Sequence, residues 1–174
     1  MKKWTAVLAF GAVMALAAPS QATTIDFSTW TPFYFAAAGS FSAPGDWYFD
    51  GAANVTVVDL FTRGDRFQVL DYGTAIGATS IPGAPSVFDG FNWSPQCGPD
   101  PDVCKLDPTY SQGTFFFDGG GTHKLNIQAL DSPFGGGTAA FRVDPVPEPA
   151  SLLLLGTGAL GLAARFRRRR NQQT

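Results

Sequence analysis

Lys124-Leu125-Asn126-Ile127-Gln128 alternates polar and apolar side chains at every position. Because successive side chains of a β-strand point to opposite faces, this alternation places leucine and isoleucine on one face and the polar residues on the other. Residues 66–70 and 139–143 divide their apolar and polar side chains between two faces in the same way. No stretch of residues 23–144 shows a convincing helical period, so these segments predict half-buried strands of antiparallel sheets.

Residues 54–61 are largely apolar. The alternation of apolar and polar side chains shifts by one position between Val57 and Val58. Such a slip predicts either a β-bulge or a strand that is covered on both faces. Residues 71–74 and 118–121 combine aspartate with glycine, and they predict turns in which glycine supplies a positive φ.

Residues 23–144 are numerous enough to enclose one core, and their aromatic side chains supply much of its apolar area. Roughly seven to nine short strands in a domain of this size favour an all-β fold, an antiparallel two-sheet β-sandwich of jelly-roll or CUB-like type. A barrel is the structural alternative. No internal repeat is visible, which disfavours a solenoid or a propeller.

Residues 1–22 have the composition of a secretory signal peptide. A charged start precedes an apolar stretch at 6–18, and the small residues Ser20 and Ala22 lie three and one before a cleavage site after position 22. The alternative, a first transmembrane helix, is weaker because a bilayer span needs about 20 apolar residues.

A second apolar stretch, residues 150–164, predicts a single C-terminal transmembrane helix. At about 1.5 Å per residue it would be roughly 22 Å long, which is short for a bilayer but workable when flanking arginines snorkel. Positive charge beside a membrane segment stays in the cytoplasm, so residues 165–174 are predicted to be a basic cytoplasmic tail. The predicted stop-transfer residues are Arg165, Arg167, Arg168, Arg169 and Arg170.

Val146-Pro147-Glu148-Pro149, followed by an apolar run with a Gly-Thr-Gly segment at 156–158 and by the arginines, resembles a PEP-CTERM sorting signal. Residues 145–149 form the linker that contains this motif, and its prolines keep the backbone extended and accessible. The resemblance covers about 25 residues. In that family the tail is handled by an exosortase, a membrane-integral cysteine-type transpeptidase of Gram-negative bacteria that make exopolysaccharide.

The resemblance implies that the chain is a substrate of an exosortase and of the export machinery, and that it is not an enzyme. It implies a protein held in the inner membrane with its ectodomain outside the cytoplasm, and then found at the cell surface or outside the cell after processing. Residues 64–73, 108–115, 121–128 and 132–137 also resemble uncharacterised secreted domains that precede such tails. This second resemblance brings no known activity.

Charge is distributed unevenly along the chain. All 14 acidic residues lie between Asp26 and Glu148, and that span holds only five basic residues, which leaves a net charge of 5 − 14 = −9. An ectodomain this acidic repels nucleic acid and anionic lipid, so neither is predicted as a partner.

Cys97 and Cys104 are the only cysteines, so a single intrachain disulfide is possible. Residues 98–103 between them form a turn-prone loop that can bring the sulfurs together. Closing a loop of this length stabilises a fold by roughly 2.5 kcal/mol. A zinc site is the competing interpretation, but a lone pair of cysteines with six residues between them fits zinc poorly.

No catalytic residue is predicted. His123 is the only histidine, and it shares the parity of Leu125 and Ile127, which predicts a structural histidine at the inner edge of a strand near a turn. No Gly-x-Ser-x-Gly elbow accompanies it. No cofactor is predicted except a possible structural calcium ion, for which the oxygen ligands would come from Asp26, Asp46, Asp50, Asp118 and Asp144.

Two functions from different classes remain open. The first is a structural or glycan-associated component of the exopolysaccharide of a biofilm, with Trp30, Trp47 and Trp93 on loops stacking against sugar rings. The second is a small secreted hydrolase that acts on the matrix polysaccharide. Exposed, coplanar tryptophans would favour the binder, and a cleft lined by two aspartates would favour the hydrolase.

Overall fold

The structure is a computed structural model, and it describes residues 23–147 and Thr157. The described residues contain eleven strands and one short helix. In chain order these are β1 (Thr23–Thr24), β2 (Thr31–Phe35), β3 (Trp47–Asp50), β4 (Ala53–Asp59), β5 (Arg66–Asp71), β6 (Thr74–Ala78), β7 (Val87–Phe88), β8 (Trp93–Ser94), α1 (Pro101–Leu106), β9 (Gln112–Phe117), β10 (Thr122–Asp131) and β11 (Gly137–Pro145).

Nine of these strands form two sheets. The five-stranded sheet has the order β1-β3-β10-β5-β6, and the four-stranded sheet has the order β2-β11-β4-β9. Apart from the short parallel pair β1 and β3, neighbours in both sheets are antiparallel. The chain alternates between the sheets along β2, β3, β4 and β5 and again along β9, β10 and β11, which is a jelly-roll order. The predicted two-sheet sandwich is confirmed, and the barrel alternative is wrong.

Seven of the 17 buried residues of the core between the sheets are aromatic. Trp47 of β3 packs edge-on against Phe141 of β11 with 4.6 Å between ring centroids, and Phe33 of β2 packs edge-on against Phe67 of β5 at 5.5 Å. All four are fully buried. Offset and edge-to-face arrangements of this kind suit the quadrupoles of aromatic rings.

The three alternating segments predicted as strands are strands β5, β10 and β11. In β10, residues 123, 125, 127 and 129 are buried, whereas the residues between them remain partly accessible. The predicted turn at 71–74 joins β5 to β6 with Tyr72 and Gly73 both at positive φ, the conformation that a two-residue hairpin needs.

Strand β4 is buried on both faces. Its pairing with β11 and with β9 runs without a register shift, so the phase slip at Val57 and Val58 reflects cover on both faces rather than a bulge. Val57 faces the core between the sheets, while Val58 packs in a second apolar cluster with Leu60, Cys104 and Ala140. The predicted disulfide between Cys97 and Cys104 is formed, and it holds this cover in place.

Helix α1 was not predicted, because a helix of six residues is too short to show a period in the sequence. It begins within the loop that the two cysteines close. The side chain of Asp100 caps it by accepting a hydrogen bond from the Asp102 amide, and Pro101 occupies the first turn, where no amide donor is needed.

Candidate functional site

The sorting segment leaves the sandwich directly from the end of β11. Pro145, predicted as the first residue of the linker, pairs with Ala53 of β4 and is the last residue of the strand. The Val146 amide donates a hydrogen bond to the Ala52 carbonyl at 2.8 Å, and Pro147 is exposed. The first residue of the motif is therefore tied to the folded domain.

The remaining sorting and membrane predictions fall outside the residues that the structure describes. These are the signal peptide at 1–22, Glu148 and Pro149 of the motif, the transmembrane segment at 150–164 apart from Thr157, and the basic tail at 165–174 with its arginines. Within the described part of the chain, no helix has the length and apolar character that a bilayer crossing requires.

The structure separates the three tryptophans that the sequence grouped together. Trp47 lies in β3 and is 0% exposed, so the prediction that it sits on a loop and contacts sugar is wrong: its indole fills the core. Trp30 is only partly accessible, packs against the second apolar cluster, and has the Arg142 guanidinium 4.9 Å above its ring. Trp93 alone stands in an exposed setting, at 37% exposure.

Trp93 belongs to an aromatic patch made of Phe88, Phe91, Trp93 and Phe134. The Trp93 ring lies 5.3 Å from that of Phe88, across the hairpin of β7 and β8, and 4.6 Å from that of Phe134. Phe91, at the hairpin turn, is 90% exposed. An exposed aromatic group of this kind can bind the apolar face of a sugar ring or another apolar surface.

The hairpin turn holds Phe91 outward by a local hydrogen-bond pattern. The Asp89 carboxylate accepts from the amides of Phe91 and Asn92 at 2.9 and 2.8 Å, and Gly90 adopts a positive φ. The sequence interpretation missed the phenylalanines of the patch. The signal was present as an Asp-Gly turn between Phe88 and Trp93, a typical hairpin pattern.

His123 is the second residue of β10, and it is buried. Its alternation with Leu125 and Ile127 predicted this position on the inner face. Its Nδ1 lies 2.8 Å from a carboxylate oxygen of Asp71, and its Nε2 lies 2.8 Å from the backbone carbonyl of Asp118. An ionised carboxylate and a carbonyl can only accept, so both hydrogen bonds are satisfied when the ring is protonated and both of its nitrogens donate. Burial opposes this charge, but the hydrogen bonds to Asp71 and Asp118 outweigh burial and raise the pKa of His123.

Replacing His123 with glutamine is expected to destabilise the protein more at low pH than at high pH. A raised folded-state pKa gives a contribution that is fully present below about pH 6.5 and is lost as pH rises through that folded-state pKa. At pH 5.5 the free energy of unfolding of the wild type should exceed that of His123→Gln by about 1.5 kcal/mol. This is the lower end of the range for a hydrogen bond to a charged group. Urea unfolding of both proteins from pH 5.5 to 9 measures this difference, and a gap that does not shrink with pH would contradict it.

A pair of buried carboxylates lies at the end of β4. Asp59 and Asp65 are 0% and 2% exposed, and the amides of Gly64 and Asp65 donate to one oxygen of Asp59 at 3.4 and 3.3 Å. Burial, together with the neighbouring charge of Asp65, raises the pKa of Asp59 to about 9. Burial also raises the pKa of Asp65 to about 6. The sequence analysis did not single out this pair, since only folding brings the end of β4 and the start of β5 under one cover.

The aspartates predicted as calcium ligands are not brought together. Asp46 forms an ion pair with Lys124 at 2.7 Å, Asp50 accepts from the Thr122 hydroxyl, and Asp144 pairs with Arg142 at 3.0 Å. Asp118 accepts from the Gly120 amide, and Asp26 takes no part in a shared site with them. Over residues 23–147, no group of three or more histidine, cysteine or acidic side chains is arranged to hold a metal ion.

Comparison with protein families identifies the tail. The family model described as the PEP-CTERM protein-sorting motif matches residues 145–169, which begin at the last residue of β11. No curated protein matches the chain. The matched residues include the motif and four of the five predicted stop-transfer arginines. The chain therefore carries a PEP-CTERM sorting signal behind a jelly-roll domain, and it is an exported protein directed to an exosortase.

Proposed function

We propose that the jelly-roll domain is a non-enzymatic, glycan-associated component of the extracellular polysaccharide, delivered there by the export machinery and an exosortase. The protein is first anchored in the inner membrane by residues 150–164 and is then displayed at the cell surface or released. The sorting signal supports delivery to the outside. The aromatic patch supports the association with glycan.

The aromatic patch is the observation that carries the glycan part of the proposal. Phe91 presents most of its ring to solvent, and the partly exposed Trp93 contacts the rings of Phe88 and Phe134. Phe91 is the most exposed aromatic side chain of the described residues, and it gives up the favourable burial that 12 of the 21 aromatic residues between positions 23 and 144 achieve in part or in full. A surface that stacks against sugar rings recovers that free energy on binding.

The hydrolase alternative receives less support from the described residues. A glycosidase needs two carboxylates that flank a sugar in a cleft, and the pair with raised pKa values, Asp59 and Asp65, is enclosed by the fold. His123 is committed on both ring nitrogens to Asp71 and Asp118. None of these groups is placed to act on a polysaccharide.

Replacing Phe91 or Trp93 with alanine is expected to weaken binding to exopolysaccharide purified from the producing bacterium about fivefold to tenfold per ring. This follows from a stacking contribution of roughly 1 kcal/mol. Affinity electrophoresis in gels containing the polysaccharide measures the retardation. Phe116→Ala is the matched control, because Phe116 is an exposed phenylalanine of β9 outside the aromatic patch.

The same assay discriminates the alternatives. Equal retardation of the wild type and both patch variants would contradict the role of the patch. Migration of the wild type unaffected by polysaccharide would contradict the binding function. Release of new reducing ends by the wild type would favour the hydrolase.

A further inference from the structure

The buried carboxylates of Asp59 and Asp65 are incompletely paired. The Oδ1 atom of each is buried and accepts no hydrogen bond from any described residue. An ionised carboxylate taken out of water costs several kcal/mol unless a cation or hydrogen-bond donors compensate it. The two residues are neighbours in the fold, because the Asp65 amide donates to the Asp59 carboxylate at 3.3 Å.

Two loops fix the positions of these carboxylates. The chain leaves β4 at Asp59 and turns back through Gly64, whose amide and that of Asp65 both donate to the other oxygen of Asp59. From the other side, the loop between β10 and β11 approaches closely, since a Cβ atom at Gly64 would lie 2.7 Å from the Pro133 ring. The Ser132 hydroxyl accepts from the Gly136 amide at 2.9 Å, which anchors this loop.

The absence of a side chain at Gly137 leaves room beside Asp65. A Cβ atom at Gly137 would lie 3.2 Å from the Asp65 Oδ2 atom, which is tighter than ordinary contact. The first residue of β11 thus packs its backbone against the carboxylate. The arrangement is held by backbone from three elements rather than by flexible surface side chains.

No basic side chain of the described chain compensates the pair. Arg63 donates to the Ala84 carbonyl and the Thr109 hydroxyl, and Arg66 donates to the Thr79 carbonyl. Among the residues described, none of the ion pairs involves Asp59 or Asp65. The negative charge of the pair must therefore be compensated by a cation from outside the described residues or be neutralised by protonation.

We propose that Asp59 and Asp65 bind a Ca²⁺ ion through their unpaired Oδ1 atoms, with oxygen atoms of the two enclosing loops completing the coordination. Calcium accepts mixed carboxylate, hydroxyl and carbonyl oxygens in flexible geometry. Magnesium retains several waters, which an enclosed site cannot accommodate, and zinc prefers nitrogen and sulfur ligands. This site differs from the solvent-facing aspartates that the sequence analysis named.

Two carboxylates make a weak calcium site. Affinity for Ca²⁺ rises with the number of charged ligands, and extracellular sites commonly bind at about 10⁻⁴–10⁻³ M. An exported protein meets calcium at such concentrations only outside the cytoplasm. The ion would then tie β4, β5 and the loop before β11 together once the domain has reached its destination.

The test is thermal unfolding of the full-length protein in detergent, in EDTA and in 10 mM CaCl₂. Calcium is expected to raise the Tm by about 4–10 °C, as follows from the affinity range and the size of the domain. Asp59→Asn and Asp65→Asn should lose this rise and should be at least as stable as the wild type in EDTA, since asparagine is neutral and keeps an acceptor oxygen. Asp50→Asn is the matched control, and it should keep the rise.

Each remaining outcome counts for or against the proposal. No rise in the wild type, or a rise that persists in both buried-site variants, overturns it, and so does an equal rise in 10 mM MgCl₂. If the variants do not fold, equilibrium dialysis of the wild type with radioactive calcium decides. One ion bound per chain at 10 mM CaCl₂ supports the site, and none overturns it.

Discussion

Replacing Trp47 with alanine is expected to destabilise the sandwich by about 3–5 kcal/mol, the range for truncating a buried large aromatic residue. The Trp47 side chain is fully buried, and its ring contacts Phe33 and Phe141, one from each of two strands of the opposite sheet. Alanine would leave a cavity that neighbouring rings cannot fill without leaving their rotamers. Since domains of this size are stable by roughly 5–15 kcal/mol, the variant should be close to unfolding.

The matched control is Trp93→Ala, which removes the same side chain from the exposed aromatic patch. The free energy of unfolding should fall by less than about 1 kcal/mol, as for most surface substitutions. Urea unfolding followed by tryptophan fluorescence gives both values. A loss for Trp47→Ala no larger than that for Trp93→Ala would mean that the core does not have this packing.

Replacing Glu148 with alanine is expected to abolish processing of the tail, so that full-length protein accumulates in the inner membrane. Glu148 lies between Pro147 and Pro149 at the centre of the matched sorting motif. Glu148 is the one charged residue between Asp144 and Arg165, so its carboxylate is the charged feature through which an exosortase would recognise the motif. Membrane fractionation followed by mass spectrometry of the C-terminus measures the outcome.

The matched variant is designed to alter the retention of the protein in the membrane and leaves Glu148 unchanged. Substituting serine at positions 167–170 removes four charges, each costing about 2.5–3.5 kcal/mol to pass through the bilayer centre. Unprocessed protein should then leak outward, whereas Glu148→Ala should hold it in the membrane. Cleavage of the Glu148 variant at the wild-type rate would show that residues 150–164 are a plain anchor.

The fold could be predicted where apolar residues recur at every second position of a strand. Strands β5, β10 and β11 each have one face on the core and one partly accessible, so their alternation was visible. In β4 the same reasoning predicted cover on both faces as one of two alternatives, and α1 with its disulfide provides that cover. The sorting motif could be found because its parts are consecutive in the chain.

What the sequence did not predict depends on contacts between distant elements. The neighbouring residues in the sequence do not distinguish Trp47, in the core, from Trp93, on the surface. Each tryptophan adjoins another aromatic residue or a short polar stretch. Asp59 and Asp65 are buried where the Gly64 and Asp65 amides donate to Asp59 and where Gly137 of β11 packs against Asp65. A single acidic residue in an acidic domain gives no sign of that enclosure.

The position of β11 sets the order in which the sandwich can be completed. Although β11 is the last strand of the described domain, it lies in the middle of its sheet, and Phe141 pairs with Thr31 on one side and with Val57 on the other. Neither β2 nor β4 can complete its ladder before residues 137–145 have joined the sheet. Until then both strands expose open edges that invite aggregation. The four-stranded sheet therefore closes only when the residues directly before the sorting segment are in place.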